Sequence, residues 1–200
     1  MPLETFLSLI GLAIAAAFTP GPNNTLVATS GARFGLRATL PHISGVGIGF
    51  PVMIFIIAMG LGQVFQQSAL LREAVRLLGM LILLWLAWKI ATSRGALGES
   101  QNARPFSFIQ SAAFQWINPK AWVMAVGVTA QFVSAQAPLR SAIIVALVFV
   151  VAGFCSATTW TLFGVGMQRW LNTSNRLRVF NLAMAGLIVL SVLGIAAAEL

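Results

Sequence analysis

The sequence predicts an all-α membrane protein with six transmembrane helices, arranged as two inverted three-helix repeats in which helices one and four are broken at proline. Three observations predict it. The 200-residue chain is 58% hydrophobic and only 8% charged, where a soluble domain carries roughly a quarter charged residues. Six apolar stretches approach the length of about 20 residues needed to cross a hydrocarbon core. Two of these stretches, the first of each half, contain a proline break.

The stretches are Leu3–Ser30, Leu40–Leu61, Ala74–Ala91, Phe108–Phe132, Ala142–Met167 and Val179–Ala198. The first has small residues that mimic a cleavage site. No Lys or Arg precedes its apolar run, however, and Glu4 does, so it reads as a structural helix. Short connections carry nearly all the charge. The longest, Thr92–Ser107, contains Gly95, Gly98, Asn102 and Pro105. It divides a single transmembrane domain (1–200) into repeat one, about 1–95, and repeat two, about 105–200. With an odd number of spans in each half, the second half is inverted relative to the first.

A net charge of +8 would suggest nucleic acid in a soluble protein, but here the basic residues are scattered singly between apolar spans. They read as a topology signal instead. Arg33, Arg37, Lys89, Arg94, Arg104, Arg169, Arg176 and Arg178 fall on one face; Arg72, Arg76 and Arg140 fall on the other. The richer face should be cytoplasmic, which puts both termini outside. Trp85, Trp88 and Lys89 then form an interfacial anchor. The single cysteine, Cys155, excludes an intrachain disulfide and reads as a packing residue among apolar neighbours. No metal-ligand cluster and no nucleophile–base–acid set occurs, so no metal, cofactor or enzymatic activity is expected.

The breaks carry the candidate chemistry. In Thr19-Pro20-Gly21-Pro22-Asn23-Asn24, a proline can start a half-helix, Gly21 allows close backbone approach, and two asparagines supply polar groups that hydrocarbon penalises. In Asn118-Pro119-Lys120, Asn caps and Pro opens a second half-helix whose start suits a carboxylate. Lys120 adds a full charge that costs roughly 3 kcal/mol or more at mid-membrane. It either faces a polar chamber or snorkels to an interface, beside Gln110, Ser111 and Gln115. Paired breaks of this kind point to a carrier's substrate or gating site.

His42 is a candidate proton relay or an ordinary interfacial histidine near the inner surface. Gly45, Gly47, Gly49 and Gly153 make small-residue faces that serve helix packing within the chain or a homodimer. Glu4, Glu73, Glu99 and Glu199 all lie in loops or at span ends. No mid-membrane carboxylate can therefore meet a cationic side chain, which favours a cargo with no net positive charge. A cargo ammonium would rest on unwound carbonyls near Phe18 or Trp116, on Asn oxygens, or on the Trp116 ring.

The first break, Trp85–Ser93 (WLAWKIATS) and Asn118-Pro119-Lys120-Ala121-Trp122 together resemble the LysE/RhtB superfamily of amino-acid exporters, and within it the cysteine/O-acetylserine subgroup. The resemblance implies proton-driven efflux of small amino acids or derivatives, including the threonine/homoserine type, across a bacterial inner membrane. Pro20, Gly21, Pro22 and Asn23 match its first box; Asn118, Pro119 and Lys120 match its second. Members with basic cargo, or threonine and homoserine exporters, often carry an acid early in the second span. This chain has Gly45-Val46-Gly47-Ile48-Gly49 there instead. The expected mechanism is alternating access about a site built from the two breaks. The alternative is a channel or a regulatory membrane protein without active transport.

Overall fold

The computed structural model describes residues 1–93, 104–168, 170–171 and 173–197. Arg94, Gly95, Gly98, Glu99, Asn102, Arg169, Ala198 and Glu199 lie outside the described residues. The described elements are helical: α1 (Leu3–Phe18), α2 (Pro22–Ile56), a π-helical turn (Ile57–Leu61), α3 (Gly62–Gln67), α4 (Ala69–Ala91), α5 (Phe108–Ile117), α6 (Pro119–Phe132), α7 (Pro138–Met167) and α8 (Ser174–Ala197). Four helical stretches are long and apolar enough to cross a membrane: Pro22–Gln67, Ala69–Ala91, Pro138–Met167 and Ser174–Ala197.

The expected gap between the first two spans is helical instead. Inside α2, Gly35 alone leaves the helical region, with φ 78° and ψ 172°. Ser30 Oγ nevertheless lies 3.2 Å from His42 Nδ1. Twelve residues of straight helix would separate these side chains by about 18 Å. The chain therefore folds back at Gly35, a backbone conformation that favours glycine. The two arms of α2 lie side by side, with Val27 of the first packed in one cluster with Ile43 and Val46 of the second. Thr39 Oγ1 donates to the Gly35 carbonyl at 2.7 Å and steadies the start of the second arm. That arm also outruns its expected end at Leu61, continuing through the π-turn and Gly60 (φ 129°) to Gln67.

Both arms of α2 pack along α7, and glycine sets how closely. A Cβ on Gly47 would meet the Phe154 ring at 2.7 Å, and one on Gly153 would touch Gly47 Cα at 3.4 Å. Gly49 faces Ala112 of α5, while Gly31 and Gly164 hold the first arm against α7. The small-residue faces are thus occupied inside the chain. On the other flank α4 packs on α8 through Leu83, Leu86, Ile188 and Val192. Their outer faces carry exposed Leu81, Trp88 and Leu190, as helices bounded by lipid do. Lys89 Nζ stands 5.0 Å over the Trp85 ring.

Cys155 departs from its expected packing role. It is exposed on the outer face of α7, in an apolar groove with Phe6, Ile10 and Leu147, because its neighbour Ser156 takes the inward position.

Candidate functional site

A helix end leaves its last carbonyls without intrahelical partners. Where α1 stops at Phe18, the rest of the molecule supplies them. The Ala17 carbonyl accepts from Asn24 Nδ2 at 2.7 Å and from Ser156 Oγ at 2.6 Å. The Thr19 carbonyl accepts from Asn24 Nδ2 at 3.0 Å and from Lys120 Nζ at 3.3 Å. The Pro20 carbonyl accepts from Lys120 Nζ at 3.4 Å. Lys120 therefore reaches across from the second break to the C-terminal, negative end of the α1 dipole. It does not snorkel away from the first break.

The two half-helix starts differ. At α6, Asn118 Oδ1 accepts the Lys120 N–H at 3.2 Å, and the Asn118 carbonyl accepts from the N–H of Ala121 at 2.9 Å and of Trp122 at 3.4 Å. Pro119 has no N–H, so the first turn of α6 has no donor to spare. At α2, Gly21 offers no side-chain cap, and the N–H groups of Asn23 and Asn24 have no partner among the described residues. The N–H groups expected to be unpaired at the α6 start are thus taken by its own cap. The start of α2 has the open donors.

Gly21, Pro22, Asn23, Asn24, Asn118 and Lys120 all line one cavity of about 60 Å³, closed by Phe50, Met124, Phe149 and Ser156. Pro20 and Pro119 flank it without forming its wall. Trp116, expected as an aromatic face, is absent from the wall, and its carbonyl accepts from Trp122 Nε1 at 2.9 Å. Phe50 and Phe149, edge to face at 5.6 Å, stand in the wall instead. His42 lies elsewhere. It is 2% exposed, stacked on Phe106 at 5.2 Å and bonded to Ser30, not open at an interface.

Gly21 owes its small size to space, not to backbone strain. Its φ of −176° is extended and open to any residue, but an added Cβ would fall 2.8 Å from Lys120 Nζ. The flexible lysine end can move, so Gly21→Ala should fold normally. The added methyl should displace the Lys120 ammonium from the Thr19 and Pro20 carbonyls. An unchanged melting temperature in detergent checks that the fold tolerates it.

Two polar residues take up places in or behind the cavity wall that the sequence did not point to. Ser156 is buried on α7 and also lies 3.4 Å from Asn24 Oδ1. Gln115 is fully buried: its Oε1 accepts from Asn23 Nδ2 at 2.8 Å, and its Nε2 donates to Asn23 Oδ1 at 3.3 Å and to the Ser111 carbonyl at 2.9 Å. Of the three polar residues assigned to an interface, only Gln110 lies outside, where it completes a capping box with Ser107. Ser111 and Gln115 share the helix face turned toward α2, and their i, i+4 spacing was the available signal. Gln115→Leu strands the Asn23 amide and should destabilise the protein by about 1–3 kcal/mol. A lowered melting temperature in detergent is the readout.

The family model described as LysE type translocator matches residues 14–198. The cysteine/O-acetylserine efflux proteins of Escherichia coli K12 and of Shigella flexneri are each 32% identical over 180 residues, covering 88% of this chain and 89% of the relative. The cysteine/O-acetylserine efflux protein of Escherichia coli O1:K1 is 31% identical over the same shares. No solved structure matches the chain. A match across nearly the whole length, on a helical frame whose two proline segments meet, makes this chain a member of the LysE type translocator family.

Proposed function

We propose that the protein exports small neutral amino acids or their derivatives, of the cysteine/O-acetylserine or threonine/homoserine type, across the bacterial inner membrane by proton-coupled alternating access. One observation carries the reading: Lys120 and the open start of α2 face the same cavity. In the empty site the ammonium rests on the Thr19 and Pro20 carbonyls. An incoming carboxylate binds the Asn23 and Asn24 N–H groups and draws Lys120 toward itself. The carbonyls released by Lys120, with Asn24 Oδ1, then receive the substrate ammonium. No acidic residue lines the cavity, which disfavours a cationic cargo.

In this scheme the proline segments are breaks within spans one and four. The two three-helix halves form an inverted repeat and rock about the cavity, with both termini outside. His42, set between the arms of α2, is the candidate proton relay. Because the glycine faces are used internally, a homodimer would form through the apolar outer faces. The names of the similar efflux proteins support the cargo class and the direction.

Reconstitution tests the proposal. With an imposed pH gradient, vesicles should accumulate labelled O-acetylserine uphill, and a protonophore should abolish the accumulation. Downhill flux alone would indicate a channel, and no flux a regulatory protein.

A further inference from the structure

Arg33 of α2, Lys89 of α4 and Arg104 ahead of α5 line a second cavity, of about 310 Å³, apart from the one that Lys120 lines. Three buried polar side chains stand in its otherwise largely apolar wall: His42 is 2% exposed, Asn181 3% and Ser30 8%. His42 Nδ1 is bonded to Ser30, and Nε2 has no partner among the described residues. Asn181 donates to the Ser93 carbonyl at 3.2 Å, and its own side-chain oxygen carries no bond among them.

No carboxylate among the described residues lines this cavity. The described ion pair, Arg76 with Glu73 at 3.4 Å, belongs to another part of the chain. The charged heads are steadied by aromatic rings instead. Arg33 lies 5.5 Å from the Phe34 centroid, and Lys89 lies 5.0 Å from that of Trp85. Three cations sharing one cavity, with no counter-charge among the described residues, repel one another and attract an anion.

Position narrows the ligand. Exposed Trp85 and Trp88 mark this level as a membrane–water boundary. Ser30 lies two turns, about 10 Å, beyond Asn23 along the first arm of α2, so the cavity is separate from that of Lys120. Basic pockets between transmembrane helices hold phosphate headgroups.

We propose that this cavity is an oxyanion site, taking a phosphate or carboxylate group at the membrane boundary. The group comes from an anionic phospholipid or from a soluble anion, and two measurements separate the sources. The first follows phosphatidylglycerol and phosphatidylcholine kept by the purified protein, using native mass spectrometry. The second follows the melting temperature as inorganic phosphate is added. Each is made on the unmodified chain and on an R33Q/K89Q/R104Q variant. Should that variant fail to fold, K89Q/R104Q replaces it, since both of these side chains are exposed.

Selective retention of phosphatidylglycerol, falling roughly 100-fold when three charges are removed, identifies the lipid source. A phosphate-dependent rise in melting temperature that the variant lacks identifies the soluble source. Identical behaviour of both proteins in both assays overturns the proposal. Lys120→Met should leave either signal intact, so failure of the transport reading and failure of this one are distinguishable.

Discussion

Lys120→Met should reduce export to background while the protein still inserts and purifies. Methionine keeps most of the side-chain length and removes the charge that lines the cavity. The Thr19 and Pro20 carbonyls lose their donor, and a substrate carboxylate loses its counter-ion. A charge-assisted hydrogen bond contributes about 1.5–3 kcal/mol, so the loss amounts to roughly 10- to 100-fold in binding. Arginine should rescue only in part, because its planar fork does not place donors as an ammonium does. Extrusion of labelled amino acid from loaded vesicles measures the effect. Unchanged extrusion would remove Lys120 from the mechanism.

The largest effect on folding is expected at Gly164. A Cβ there collides with the backbone carbonyl of Ala28, which neither helix can move without separating. Gly164→Val should push the first arm of α2 off α7 and cost about 3 kcal/mol, the upper end for overpacking in a close-packed interior. Gly194→Ala is the matching control, since nothing lies within 4 Å of its added methyl. It should be neutral or slightly stabilising, as replacing a mid-helix glycine generally is. Yield of monodisperse protein and melting temperature should separate the two variants. Equal behaviour would mean that the α2–α7 seam is looser than its geometry.

Much of the fold was legible because lipid imposes a simple rule on side chains. Continuous apolar runs such as Ala74–Ala91 and Ala142–Met167 correspond closely to α4 and α7. A reversal was expected between Ser30 and Leu40, but not that one glycine, Gly35, would make it with helix on both sides. Its neighbours Phe34 and Leu36 are apolar, so no cluster of turn residues marks the position. At the site, the proline segments announced themselves because such residues are costly inside an apolar run. Gln115 and Ser156 did not, since one polar residue on a helix reveals its direction only once its neighbours are known. The Asn118 cap was foreseen, but not its consequence. A side chain that caps a helix also consumes the donor that a ligand would need.

The helices flanking the two proline segments have a consequence in simple arithmetic. At about 1.5 Å per residue, the 16 residues of α1 reach about 24 Å, the 10 of α5 about 15 Å and the 14 of α6 about 21 Å. None alone matches the about 30 Å of a bilayer's oily interior. If each proline segment is a break within a span, as proposed, the joint must lie well below either surface. There the local dielectric would be low, and a single ammonium with a few loose carbonyls would discriminate between solutes that water blurs together.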